Sequence, residues 1–148
     1  MGAHLNGYNS DMPRTIVLGE PSDKFREIYN IVLKAHLEAS ARMKAGMTGV
    51  ECDKIARDVI EQAGYGDQFT HSLGHGIGLA THELPTLSKR APETPLPSPT
   101  VFSVEPGVYL DGETGVRIED LVSIDHAAGR LERLTHFPSD IVIVGVGR

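Results

Sequence analysis

The spacing of apolar residues changes character part-way along the chain. Phe25, Ile28, Tyr29, Val32, Ala35, His36, Ala39 and Met43 recur at intervals of three and four, which predicts one face of a long amphipathic helix. Pro21-Ser22-Asp23 supplies the start signal, with Ser22 or Asp23 as N-cap, and Gly46 marks the end. Residues 50–63 predict a second helix, with Ile55, Val59 and Ile60 on its apolar side and Gly64 as the stop. Ahead of both, Thr15-Ile16-Val17-Leu18 reads as a short strand ended by Gly19. After Gly66, glycine, histidine and β-branched residues replace the helical period. Residues 101–104, 107–110, 116–124 and 141–146 read as strands, Gly112 and Gly115 as a hairpin turn, and the proline-rich stretch 93–99 as a looped connector. Two helices between strand segments, followed by several strands, predict an α+β fold.

Composition narrows the function classes. With 148 residues the chain is one domain or part of one, long enough for a hydrophobic core. Its net charge of −6 and the lack of a lysine or arginine run argue against a nucleic-acid surface. The single cysteine, Cys52, excludes an internal disulfide, fits a reducing compartment and reads as a core or surface thiol. No signal-like apolar run opens the sequence and no stretch has the length of a membrane span, so a cytoplasmic protein without membrane partners is expected.

The chemistry concentrates in four places. Asp11 follows Gly7-Tyr8-Asn9-Ser10 and could simply cap a turn. His75 lies between Gly74 and Gly76, where the backbone can approach closely, and His71 and His82 lie nearby. Glu105 follows the apolar run Val101-Phe102-Ser103-Val104 and precedes Pro106-Gly107, and a buried glutamate there needs a partner. Glu119 lies in Val116-Arg117-Ile118-Glu119-Asp120-Leu121; strand alternation puts Arg117 and Glu119 on one face, so Arg117 can pair with Glu119 or brace it beside a metal. Three carboxylates and one imidazole suit manganese, cobalt, iron or zinc better than calcium, and the set lacks the thiolates of a structural zinc site. Such a centre activates water and polarises a carbonyl, which points to amide hydrolysis.

These motifs resemble the pita-bread metallopeptidases: methionine aminopeptidase, aminopeptidase P, Xaa-Pro dipeptidase (prolidase) and the related creatinase. The order Asp, His, Glu, Glu is the family's. The segments from His71 through Gly74-His75-Gly76-Ile77-Gly78-Leu79 to His82-Glu83, Val104-Glu105-Pro106-Gly107-Val108-Tyr109 and Gly115-Val116-Arg117-Ile118-Glu119-Asp120 look like the aminopeptidase P and prolidase branch. The closing Leu134-Thr135 and Pro138 fit as well. The resemblance implies two helices packed on a curved, mainly antiparallel sheet, and cleavage of an Xaa-Pro peptide bond by a metal-activated water. It implies Asp11, His75, Glu105 and Glu119 as metal ligands, with Asp11 and Glu119 bridging and Glu105 also moving the proton. His71 and His82 would contact substrate, and Arg117 would brace the site.

The departures from the pattern also carry expectations. The family has a further metal-binding Asp in an Asp-x-Gly pattern; aligning its glycine with Gly2 places that Asp just before Met1. Pro13 stands where the family usually has threonine. The whole chain, residues 1–148, would then correspond to the C-terminal part of a catalytic domain, with one tight metal site, manganese or cobalt first and zinc or iron next, and a second site short of a ligand. The expected partner is a proline-containing peptide. Apolar surface left uncovered would favour a homodimer. The competing reading is an inactive domain on this scaffold that serves as a binding module.

Overall fold

The structure, a computed structural model, describes residues 1–125, 127 and 130–145. The long helix α1 spans Asp23–Arg42, and Ser22 is its N-cap, accepting the Phe25 N–H at 3.1 Å. It stops short of Gly46, because Met43 is already extended; that side chain still packs into the core. The second helix, α2, spans Gly49–Gln62 behind a reciprocal cap: Thr48 accepts the Glu51 N–H, and the Glu51 carboxylate accepts the Thr48 N–H. Gly64, at φ 87°, ends α2 as expected: its N–H bonds the Glu61 carbonyl, and the next N–H, on Tyr65, reaches back to Ile60.

Eleven strands surround the helices among the described residues: β1 (Gly2–Leu5), β2 (Tyr8–Asp11), β3 (Ile16–Leu18), β4 (Gly74–Gly76), β5 (Glu83–Leu87), β6 (Thr100–Val104), β7 (Gly107–Leu110), β8 (Thr114–Arg117), β9 (Asp120–Asp125), β10 (Arg130–Arg133) and β11 (Val142–Val144). The main sheet has the order β10-β9-β6-β4-β5, antiparallel throughout. Hairpins β1-β2 and β7-β8 flank it, and β11 pairs in parallel with β3. The expected α+β fold, two helices against a mainly antiparallel sheet, is what the chain forms.

Two expectations are corrected in detail, and the opening segment adds a hairpin. The strand expected over 116–124 is two strands, parted at Ile118-Glu119: β8 returns to β7, whereas β9 pairs with β6 and β10. The opening segment is a hairpin that turns at Asn6-Gly7, both at positive φ (51° and 88°), as a two-residue primed turn requires. The last strand covers Val142–Val144, and position 146 lies outside the described residues.

Period-two alternation gives the sheet two unlike faces. Phe102, Val104 and Val122 join Phe25, Ile28, Tyr29, Val32, Ala35 and Ala39 of α1 in the core. Ser103, between two core positions, turns to the opposite face. Leu5, Tyr8, Ile16, Leu18 and Ile143 leave apolar surface exposed on the flanking strands. Among the described residues, no helix is long and apolar enough to cross a membrane.

Candidate metal centre

The short strand β4 is held between β5 and β6, and its glycines make that possible. A Cβ on Gly74 would meet the Ser103 carbonyl oxygen at 1.8 Å, and one on Gly76 would meet that of Leu84 at 2.2 Å. His75 therefore projects from a backbone that only glycine neighbours allow. Its main-chain N–H bonds Ser103 Oγ at 3.0 Å. Its Nδ1 lies 3.0 Å from the Gly76 carbonyl, which can only accept, so Nδ1 carries a proton. That bond aims Nε2 at Glu105 Oε1, 3.0 Å away. The hydrogen bond to Glu105 holds the His75 pKa above its ordinary value.

Glu105 follows β6 and is buried; its N–H donates to the Leu73 carbonyl at 2.8 Å. Burial pushes its carboxyl up, but hydrogen bonds from His75 and from Ser103 Oγ (2.9 Å) outweigh burial and hold it below the usual carboxylate range. Arg117 faces it at 3.7 Å, with Nη1 toward Oε2. Among the described residues the ion pair of Arg117 is thus with Glu105, where alternation alone suggested Glu119. The break between β8 and β9 separates Arg117 from a regular register with Glu119.

Glu119 is 1% exposed, and its Oε1 has no hydrogen-bond partner among the described residues. Burial, then the charges of Glu105 and Asp11, push its pKa up to about 8. Ligand atoms of His75, Glu105 and Glu119 all lie within 4.8 Å of one another. A buried carboxylate beside a second carboxylate, with an oxygen left bare, is costly in a protein interior. A divalent cation among these atoms would satisfy Glu119 and displace the proton that His75 and Glu105 share, so the residues present fit the metal expected for them. Asp11, half-buried at the end of β2, is not one of the three gathered ligands but is close enough for its charge to act on Glu119.

The remaining expected residues ring this cluster. The exposed His82 ring lies 4.2 Å from that of His75, centroid to centroid. His71 bonds the Tyr109 hydroxyl through Nε2 (3.0 Å) and the Ser72 carbonyl through Nδ1 (2.8 Å). Tyr109, whose pKa burial raises, is a site residue that sequence reasoning passed over, although it closes the Glu105-to-Tyr109 motif. Ser103 was also missed; its signal was its place two residues before Glu105 on a strand.

At the start of β9, toward α1, lies a second polar cluster with no sequence signal. Asp120, fully buried, accepts from Arg14 Nη2 (2.6 Å), Thr135 Oγ1 (2.6 Å) and His36 Nε2 (2.9 Å), with Arg133 at 3.4 Å. Burial pushes the Asp120 carboxyl up, but His36, Thr135 and Arg14 overcome it and hold the group well below the usual carboxylate range. Arg14 also donates to the carbonyls of Glu119, Pro13, Phe137 and Pro138. Pro13 itself accepts the Glu119 N–H at 3.2 Å, which fixes the main chain from which the Glu119 side chain emerges.

The signature of metallopeptidase family M24 matches residues 1–126. A Xaa-Pro dipeptidase of Pyrococcus furiosus is 52% identical over 134 residues, which is 90% of this chain and 38% of that protein. The crystal structure of an X-Pro aminopeptidase from Thermotoga maritima superposes with a TM-score of 0.90 at 46% identity, covering 97% of this chain and 40% of the other. The X-prolyl aminopeptidase of Caenorhabditis elegans, described as having a di-nuclear active site, superposes with a TM-score of 0.73 at 32% identity over 82% of this chain and 20% of its own. The chain spans about two-fifths of the length of the curated relatives it matches.

Proposed function

Because the chain belongs to metallopeptidase family M24, we propose that it is the C-terminal part of a catalytic domain that hydrolyses Xaa-Pro peptide bonds with a metal-activated water. The observation that carries this reading is the bare, buried Oε1 of Glu119 within a ligand cluster of two carboxylates and an imidazole. His75, Glu105 and Glu119 would hold the ion, with Asp11 completing the set from the β1-β2 hairpin. A divalent cation, manganese or cobalt first, supplies an acidified water and a Lewis acid for the scissile carbonyl.

The chain's own groups would do the rest. Glu105 stays ionised in a buried position and can take the proton of the water and pass it to the leaving nitrogen. His71 and His82 would meet the substrate. Arg117, half-exposed beside Glu105, presents a cation where negative charge develops on the carbonyl oxygen. A cleft of about 430 Å³ lined by Pro13, Arg14, Thr15, Tyr109, Gly115 and Arg117 leaves room for a short peptide. With three gathered ligands and Asp11, one ion is bound tightly. Calorimetric titration should show a single tight manganese per chain, and two equally tight ions would refute that stoichiometry.

The activity test is release of proline from an Xaa-Pro dipeptide with manganese or cobalt present. Turnover well above a Glu105→Gln control supports the peptidase reading. Equal rates for the two would sink it and favour a binding module.

A further inference from the structure

Asp53 and Arg57 lie one turn apart on α2, buried and outside the cluster that would hold the ion. They form a two-pronged pair, Nε to Oδ2 at 2.6 Å and Nη2 to Oδ1 at 3.0 Å. The pair also reaches beyond α2. Arg57 donates onward to the carbonyls of Phe69 (3.1 Å) and His71 (2.9 Å), and its guanidinium stacks 4.2 Å from the Phe69 ring centre. Asp53 Oδ1 also accepts the Leu73 N–H at 3.0 Å. Three backbone atoms of one five-residue segment thus hang on a single charged pair. That segment carries His71, and its Leu73 carbonyl receives the Glu105 N–H. The Phe69 ring, fixed beneath the guanidinium, meets the His71 ring edge-on at 5.1 Å.

We propose that Arg57, oriented by Asp53, is a positioning residue that sets the His71 imidazole against Tyr109 and the Glu105 side of the site. Burying an ion pair is a poor way to add stability alone, since the desolvation of both charges offsets their attraction. A planar fork that meets Asp53, Phe69 and His71 at once is what an arginine provides and a lysine does not. The segment has no helix or strand of its own to fix His71, and a catalytic group displaced by an ångström loses much of its effect. This inference rests on the peptidase reading for its kinetic consequence but not for its structural one.

The test uses the full chain with Arg57→Lys, which keeps a cation beside Asp53 but cannot span both carbonyls. With manganese bound, kcat/KM for an Xaa-Pro dipeptide should fall about 10- to 100-fold while manganese affinity stays within about twofold. In a His71→Ala background the same substitution should change kcat/KM by less than about twofold, because its effect passes through His71. Losses that multiply in the double variant, or an unchanged Arg57→Lys enzyme, would overturn the proposal. Nitrogen-15 spectra of histidine in the metal-free chain should show His71 losing its Nδ1–H signature in Arg57→Lys while His36 keeps its shifts; an unmoved His71 would overturn the proposal whether or not the chain turns over peptide. If wild-type chain shows no proline release but His71 moves, the peptidase reading fails and the positioning stands. Should Arg57→Lys not fold, Phe69→Leu, which keeps every hydrogen bond of the clamp and removes the stacked ring, is judged by the same spectra, with the same shift expected at smaller size.

Discussion

Glu119 and Asp120 are consecutive, both essentially fully buried, and opposite in every electrostatic respect. Asp120 is surrounded by donors: Arg14, His36, Thr135 and Arg133. Glu119 faces two other carboxylates and keeps one oxygen unpartnered. Burial alone raises a carboxyl pKa, and it does so for both. The partners decide the outcome: one falls well below the ordinary range, and the other climbs to about 8. Asp120 is satisfied by buried donors, whereas its neighbour, at the break between β8 and β9, faces other acids that a cation would neutralise. The contrast separates a carboxylate that the fold satisfies from one that it leaves unsatisfied.

The largest effect should come from the satisfied side. Asp120→Ala leaves the Arg14 guanidinium and His36 buried beside an empty acceptor site, and removing one partner of such a pair typically costs about 3–5 kcal/mol. Urea denaturation of the metal-free chain should register that loss. A change below about 1 kcal/mol would mean that the Asp120 cluster does not hold the strand. Glu119→Gln should behave in the opposite way. The metal-free variant should be as stable as wild type or slightly more so, since a neutral amide replaces a group that burial already disfavours as an anion. The rise in Tm that manganese gives the wild type should vanish, because the ligand is gone. A variant that kept the full manganese-dependent rise would remove Glu119 from the site.

The two carboxyls also pull the pH dependence in opposite directions, with chelator present. Asp120 has a folded pKa below its ordinary 3.8, so its stabilisation is present above about pH 4 and is lost as pH falls through the lower folded value. Glu119 has a folded pKa of about 8 against an ordinary 4.5, so its contribution is complete below that ordinary value and is lost as pH rises through about 8. The urea midpoint of the metal-free chain should therefore decline between about pH 5 and pH 9, and Glu119→Gln should flatten that decline. Saturating manganese should abolish it as well, since the cation replaces the proton. A midpoint that climbs with pH over this range in wild type would show that Glu119 is not held protonated.

The same contrast explains what could be read from the sequence. Helix α1 was legible because its apolar period and Ser22 cap are local. His75, Glu105 and Glu119 were legible because each is an ionisable residue set in glycine or apolar surroundings. The cluster around Asp120 was not, because its partners Arg14 and His36 lie 106 and 84 residues away and none sits in an unusual local context. The Asp53-Arg57 clamp was hidden for a related reason: on a helix, a pair four residues apart reads as an ordinary surface ion pair. The strand β4 was hidden because a three-residue Gly-His-Gly segment has no apolar alternation; it is a strand only because β5 and β6 press against it from both sides. Asn6-Gly7 did carry a local turn signal, obscured by the polar residues on either side.

The smallest expected effect tests whether all four partners of Asp120 count equally. Arg133 reaches Oδ2 at 3.4 Å from a side chain that is 42% exposed, whereas Arg14 is 6% exposed and sits at 2.6 Å. An exposed cation gives up part of its attraction to solvent and must order a long side chain, so such pairs contribute about 0–1 kcal/mol. Arg133→Ala should change the urea midpoint by the equivalent of less than about 0.5 kcal/mol and leave manganese binding as it was. Thr135, which also accepts the Leu121 N–H at 3.1 Å, and Arg14 would then carry the cluster with His36. A loss from Arg133→Ala comparable to that from Asp120→Ala would instead show that the rim arginine closes the cluster against water, and that Asp120 owes its low pKa to exclusion of solvent as much as to its buried donors.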